Sequence, residues 1–471
     1  MNVRCENLVI GSGPGGSVTA GLLAEAGRDV VVVEEGGGDG RPPEPFSLEE
    51  MVARYRYRGL NPSFGKPKVA FVEACCLGGG SEINSALYHR TPADVLEEWQ
   101  RDYGLDGAGP REMEPYFEMV ERSLGVGNSP GPLPAPARKL RDGAEALGWS
   151  STEVARWVRY GDGRRPDGSP AGVRTTMAGS WLPRVQSAGG RILTSVRVTG
   201  LQRNGGGWTA SVRGGEGIRA DHVFLCGGAV QSPLLLRRSG IRRNVGNTLA
   251  MHPTIKVVAM FPDEVNYAGL GVPFVQVKQF APRLTFGSSI SSPPHLALAM
   301  LDYPEHGRGV MERWQYAAVY YVAVTGPATG KIRRIPFTED PLIRYEPEAR
   351  DLHDLATGIR NLCRLLFEAG AVELFPSLPC GGPLRTADDL PKLPAAVPGS
   401  RTNLMTIHLF GSCPMGEERE RTAVDSWGRV GDAPGLAVHD ASILCSAPGV
   451  NPQGSIMALA ARNTLHYLGR A

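Results

Sequence analysis

ENLVIGSGPGGSVTAGLLAEAGRDVVVVEEG, residues 6–36, runs from a short apolar strand through a glycine-rich turn into a helix with a small-residue face, then into a second apolar strand ending in acid. Gly11, Gly13 and Gly16 occupy the three glycine positions of G-x-G-x-x-G. The first allows a sharp turn, the second lets phosphate approach bare backbone, and the third lets helix and strand pack closely. The helix N-terminus then turns its unpaired N–H groups toward a pyrophosphate, and Gly27 stops the helix. The strand VVVV reaches Glu34 about twenty residues on, where a carboxylate accepts both ribose hydroxyls of an adenosine. Glu35 competes for that role, and Gly36 after it favours Glu34. The stretch predicts a dinucleotide-binding βαβ unit and leaves FAD against NAD open.

The surrounding chain narrows the setting. Its 471 residues allow two or three core-forming units, and 42% hydrophobic with 21% charged is ordinary for a globular protein. Fifty basic against 48 acidic residues leave a net charge of +2, which argues against a nucleic-acid surface. The cysteines are scattered without a C-x-x-C pair, so neither a metal site nor a disulfide framework is expected. Strand character begins a few residues after Met1, leaving no room for a signal peptide, and no run of about eighteen apolar residues suggests a membrane span. A reducing, cytoplasmic setting is the expectation.

Three further segments carry glycine-rich punctuation: CCLGGGSEINSALYHRTP (75–92), HVFLCGGAVQSPLLLRRSGI (222–241) and NVGNTLAMHP (244–253). The first offers successive backbone N–H groups to an anion or a ring edge. The second reads as a buried strand, a Gly-Gly turn and a helix capped near Ser232-Pro233. Near the C-terminus, TIHLFGSCPMG (406–416) places one imidazole, His408, in an apolar run. GLAVHD (435–440) reads as a last strand ending in Asp440, and Asn451-Pro452 opens the small and apolar run of a buried helix.

Taken in order, GSGPGG, LGGGSEIN, GGAVQSPLLLRRSGI and HLFGSCPMG resemble the motif set of the glucose-methanol-choline (GMC) oxidoreductases. The resemblance implies an α/β fold: a Rossmann-like FAD-binding domain with a parallel sheet, interwoven with a substrate domain on an antiparallel sheet. It implies FAD contacts from Gly11, Gly13, Gly16, Glu34, Gly79, Gly80, Ser81, Asn84, Val198, Gly228, Asp440, Ala441, Asn451 and Pro452. It makes His408 and Asn451 the catalytic pair, with His408 accepting the hydroxyl proton of an alcohol while hydride leaves its carbon. The substrate is then a polyol, sugar derivative, sterol or long-chain alcohol, and the electron acceptor is oxygen, a quinone or a protein. The alternative in the same fold is a redox-silent, hydroxynitrile-lyase-like flavoprotein. The extra glycine loops and the C-terminal block disfavour a nicotinamide enzyme. Some family members attach flavin through a histidine before the Asn of the glycine loop; Ile83 stands there, so noncovalent FAD is expected, with Cys75 and Cys76 as the other candidate attachments.

Domain boundaries follow as 1–42, 190–253 and 404–471 for the FAD side, with 70–95 a flavin-contacting loop, and 43–189 and 254–403 for the substrate side. Loops are expected at 36–46, 128–137 and 380–400. Strands are expected at 254–261, 272–280, 295–301 and 316–324, and a helix at 354–371. Trp314, Tyr316, Tyr320 and Tyr321 read as sheet core, and His89, His252 and His295 as structural.

Overall fold

The computed structural model describes residues 3–38, 43–400 and 402–470; the expected boundaries at 1, 42 and 471 lie outside them. Strands Arg191–Leu193, Val30–Val33, Val3–Ile10 and Ile218–Leu225 lie side by side and parallel. Ile218–Leu225 serves two further neighbours. Its first half pairs antiparallel with Gly207–Val212, which continues to Val198–Asn204, while Val223, Phe224 and Leu225 pair parallel with Leu436–Val438. Val30–Val33 is buried throughout. Val30 and Val32 join the core that holds Ala20 and Leu23 of the first helix, and Val31 and Val33 join the one that holds Leu96, Trp99 and Leu235. A strand covered on both faces reads as an unbroken apolar run, and each buried valine contributes roughly 1.5–3 kcal/mol.

The second sheet has nine strands, with Thr254–Met260, Ala317–Val324, Leu284–Ser288 and Val275–Val277 adjacent and antiparallel. Helix Ala349–Glu368 covers one face. Helices Ala93–Tyr103, Pro110–Leu124 and Trp181–Ser187 come from the stretch assigned above to the substrate side, yet they pack with the parallel sheet and its helices. Among the described residues no helix is long and apolar enough to cross a membrane.

Four local expectations change. HLALAML is helix Pro293–Ala299, not strand. Ser292 stands at the N-cap with Pro293 and Pro294 behind it, a helix start that outweighs the apparent alternation. VPFVQVKQF contributes only Val275–Val277 as strand. The long helix begins at Ala349, five residues early, because Glu348 and Asp351 form a capping box. Ser232 and Pro233 lie inside helix Gly228–Arg238 rather than capping it. Proline there removes the bond to the Ala229 carbonyl, and the Ser412 hydroxyl donates to that oxygen at 2.6 Å instead. In the expected loops, 128–137 runs into helix Ala135–Ala146 and 380–400 holds the short turn Ala387–Lys392.

Candidate active site

A cavity of about 2500 Å³, mouth included, runs between the carboxyl ends of the parallel strands and one face of the antiparallel sheet.

At the parallel-sheet end the glycines divide by what surrounds them. Gly11 has φ +105°, and a Cβ there would lie 2.3 Å from the Cys226 carbonyl oxygen; at Gly16 it would lie 2.0 Å from the Gly11 oxygen. The protein's own packing demands both. At Gly13, Gly80 and Gly228 an added Cβ would meet no protein atom within 4 Å, and all three border the cavity. Bare backbone facing open space suits close approach by phosphates or a planar ring, so these residues fit a bound dinucleotide. A Cβ at Gly79 would lie 2.7 Å from Gly13 Cα, so the two glycine loops touch.

Glu34 borders the same space. Its Oε2 accepts from the Ser12 N–H at 3.0 Å and hydroxyl at 2.7 Å, and its Oε1 from the Gly36 N–H at 2.9 Å. Burial raises its pKa against the pull of those bonds. Glu35 differs: against the upward push of burial, Arg56 and Arg197 hold it below the usual carboxylate range. Asp440 accepts from the Gly228 N–H at 2.8 Å, from the Ser232 hydroxyl, and from the Ser442 N–H at 2.8 Å and hydroxyl at 2.6 Å. It ties the second glycine turn to the last strand. Asn84 joins the first glycine loop to the C-terminal helix by donating to Gln453 Oε1. Val198, Ala441 and Pro452 border the cavity, whereas Ser81 does not. The Ser81 hydroxyl is fully buried, donating to the Gly78 carbonyl at 2.8 Å and accepting from the Met177 N–H at 2.9 Å; it braces the loop from behind. Gly16 likewise sits behind the lining, beneath Gly11.

His408 and Asn451 are 43 residues apart in sequence and meet at the cavity wall, with Asn451 Nδ2 and His408 Nε2 separated by 3.1 Å. An amide nitrogen donates, so Nε2 accepts and His408 carries its proton on Nδ1. That nitrogen faces His252 Nδ1 at 3.0 Å. His252, read above as structural, thus touches the candidate base. Its own Nε2 is buried without a partner. Asn451 is held in turn: Gln276 Nε2 donates to Asn451 Oδ1 at 3.4 Å and to the Tyr321 phenol oxygen at 3.1 Å. Tyr321 therefore faces the cavity, while Tyr320 is core, bonded to the Pro136 carbonyl at 3.1 Å. Burial lowers the pKa of His408 to about 4. Burial, with the charges of His408 and Lys278, takes His252 well below its ordinary value. Both imidazoles are neutral at pH 7. Cys75 and Cys76 do not border the cavity, and burial pushes both thiols upward, Cys75 to about 11.

Sequence reasoning missed His252, Gln276 and Tyr321. A signal for two of them was present: Gln276 with Lys278, and Tyr321 with Ala323, recur at period two on one face of their strands.

A Rossmann-like unit whose glycine turns open onto a cavity shared with an antiparallel sheet defines an α/β protein of the dinucleotide-binding type. The chain belongs to the GMC oxidoreductase family, whose N-terminal profile matches residues 5–254 and whose C-terminal profile matches residues 337–460. It is 35% identical to an uncharacterized GMC-type oxidoreductase of Sinorhizobium fredii, over 98% of this chain and 94% of that one. A long-chain-alcohol oxidase of Arabidopsis thaliana is 28% identical, over 98% of this chain and 67% of its own. The crystal structure of pyridoxine 4-oxidase from Mesorbium loti superposes with a TM-score of 0.72 at 19% identity, covering 99% of this chain and 100% of that one, and so shares the fold.

Proposed function

We propose that the protein oxidises the CH–OH group of an alcohol to a carbonyl, with noncovalently held FAD as electron acceptor and His408 as general base. The observation that carries this is the His408–Asn451 pair, 3.1 Å apart, bordering the same cavity as the bare glycine backbone of the nucleotide end. The family, and a relative named as an alcohol oxidase, support the reaction class.

FAD, when bound, supplies at its N5 the hydride acceptor that no side chain provides. Gly11, Gly13, Glu34, Gly79, Gly80, Asn84, Val198, Gly228, Asp440, Ala441, Asn451 and Pro452 hold it on this reading. His408, kept neutral by its partial withdrawal from water at the cavity wall, removes the hydroxyl proton at Nε2 as hydride leaves the carbon. An arriving hydroxyl takes the place of the Asn451 N–H at that lone pair, and Asn451 Nδ2, next to it, donates instead to the hydroxyl oxygen and stabilises charge developing there. Tyr321 and Gln276 fix the carboxamide, and His252 fixes the imidazole through Nδ1. The division into a cofactor side and a substrate side belongs to the same proposal.

Anaerobic mixing of the FAD-loaded protein with a panel of primary and secondary alcohols tests it. Loss of the yellow flavin absorbance with carbonyl formed in equal amount is the expected result. Product formed while the absorbance stays unchanged would instead favour the lyase chemistry that this fold also suits.

A further inference from the structure

The floor of the substrate-side cavity is one face of the antiparallel sheet, and its register fixes which side chains stand there. Lys256 pairs with Tyr321, Tyr321 with Gly287, and Gly287 with Gln276, giving one row across four strands. In the next row Thr254 pairs with Ala323 and Ala323 with Thr285, and Lys278 follows Val277 beyond the end of the ladder. Lys278 Nζ reaches Thr285 Oγ1 at 3.5 Å. Side chains on one face of neighbouring strands point the same way, and Lys256, Lys278, Gln276, Thr254, Thr285 and Tyr321 all border the cavity.

What is unusual is the charge. Among the described residues the carboxylates bordering the cavity are Glu34, Glu35, Glu73 and Asp440, all toward the nucleotide end and all partnered. Neither lysine has a carboxylate partner among the described residues. Burial alone lowers each ammonium, to about 8, with no anion to offset it. Lys278 is close enough that its charge, after burial, lowers the proton affinity of His89 and His252. Cations drawn away from bulk water are ordinarily paired, and two half-buried lysines with no carboxylate beside them, on a cavity wall of hydroxyl and amide groups, leave the floor short of negative charge.

We propose that the alcohol this site takes carries an oxyanion, a carboxylate or a phosphate, which Lys256 and Lys278 bind on the sheet floor while the hydroxyl lies at His408. The inference rests on the alcohol-oxidation reading and narrows its substrate class. An ammonium engages either oxyanion as a point charge, so the lysines do not choose between the two.

Matched probes test it. 4-(Hydroxymethyl)benzoate and 4-(hydroxymethyl)phenyl phosphate are compared with neutral 4-methylbenzyl alcohol in flavin reduction, and benzoate, phenyl phosphate and benzamide are compared as ligands by thermal shift of the FAD-loaded protein. An anionic alcohol is expected to have the higher kcat/KM, and whichever of the carboxylate and phosphate arms is higher identifies the oxyanion. Lys256→Met and Lys278→Met should each lower the ratio of kcat/KM for anionic over neutral alcohol roughly tenfold to a hundredfold, and Lys278→Arg should retain most of it. If no alcohol reduces the flavin while benzoate or phenyl phosphate still protects through the two lysines, the oxidation reading fails and the anion site stands. Equal use of anionic and neutral alcohols by the unaltered enzyme, with equal protection by benzoate and benzamide, overturns the inference alone. A ratio unmoved in both lysine variants, the two substrates slowing together, also overturns it.

Discussion

Gly287→Ala isolates the support behind Asn451 with a single methyl group. The added Cβ would lie 2.5 Å from the Tyr321 phenol oxygen, 2.6 Å from Cζ and 2.7 Å from Cε1. Ordinary carbon contacts are about 3.5–4.0 Å, so the ring must retreat by about 1 Å. That retreat strains its 3.1 Å bond to Gln276, whose other bond restrains Asn451. A misplacement of about 1 Å away from the chemistry costs on the order of 10²-fold in rate, and overpacking costs about 1–3 kcal/mol of stability. Flavin reduction by a saturating alcohol in stopped flow, with thermal melting alongside, reads both. Tyr321→Ala removes the obstacle, so the double variant should melt near Tyr321→Ala alone and react no more slowly than it. Unchanged rate and melting for Gly287→Ala, or strictly additive effects in the cycle, would refute the relay from Tyr321 to Asn451.

Other substitutions separate packing from chemistry. Gly13→Ala meets no protein atom at its Cβ, so the chain should fold and bind FAD more weakly; Gly16→Ala, 2.0 Å from the Gly11 oxygen, should fail to give folded protein, and flavin content with circular dichroism distinguishes them. His408→Ala should slow flavin reduction roughly 10²–10⁴-fold with FAD content intact, whereas loss of FAD or of fold would make His408 a packing residue. The base acts neutral and burial lowers His408 to about 4, so kcat/KM should hold through pH 6.5 and fall only as pH drops through about 4; an acidic limb near 6.5 contradicts that environment.

The nucleotide end was legible because its demands are local. Gly16 answers to the Gly11 oxygen in its own turn and Glu34 to the end of a strand buried on both faces, although Gly11 is also held by the distant Cys226 carbonyl. His408 and Asn451 were legible only through motif likeness, since nothing within either segment brings them together. His252, Gln276, Tyr321 and Lys256 were opaque because register between strands far apart in sequence decides their company. In TIKVVAMF the polar members Thr254 and Lys256 share one face, but the sequence does not say whether that face meets solvent or a cavity. HLALAML misleads for the opposite reason: its alternation spells a strand, while Ser292, Pro293 and Pro294 just before it start a helix.

The central claim is that the imidazole of His408 and the carboxamide of Asn451 receive one alcohol oxygen beside the flavin ring. A crystal structure of the FAD-loaded protein with a bound alcohol analogue tests this most directly. The account predicts the analogue oxygen within hydrogen-bond reach of His408 Nε2 and Asn451 Nδ2, with its carbon about 3–3.5 Å from flavin N5. A ring seated away from both side chains, or His408 sealed from the alcohol by packed side chains, would contradict it.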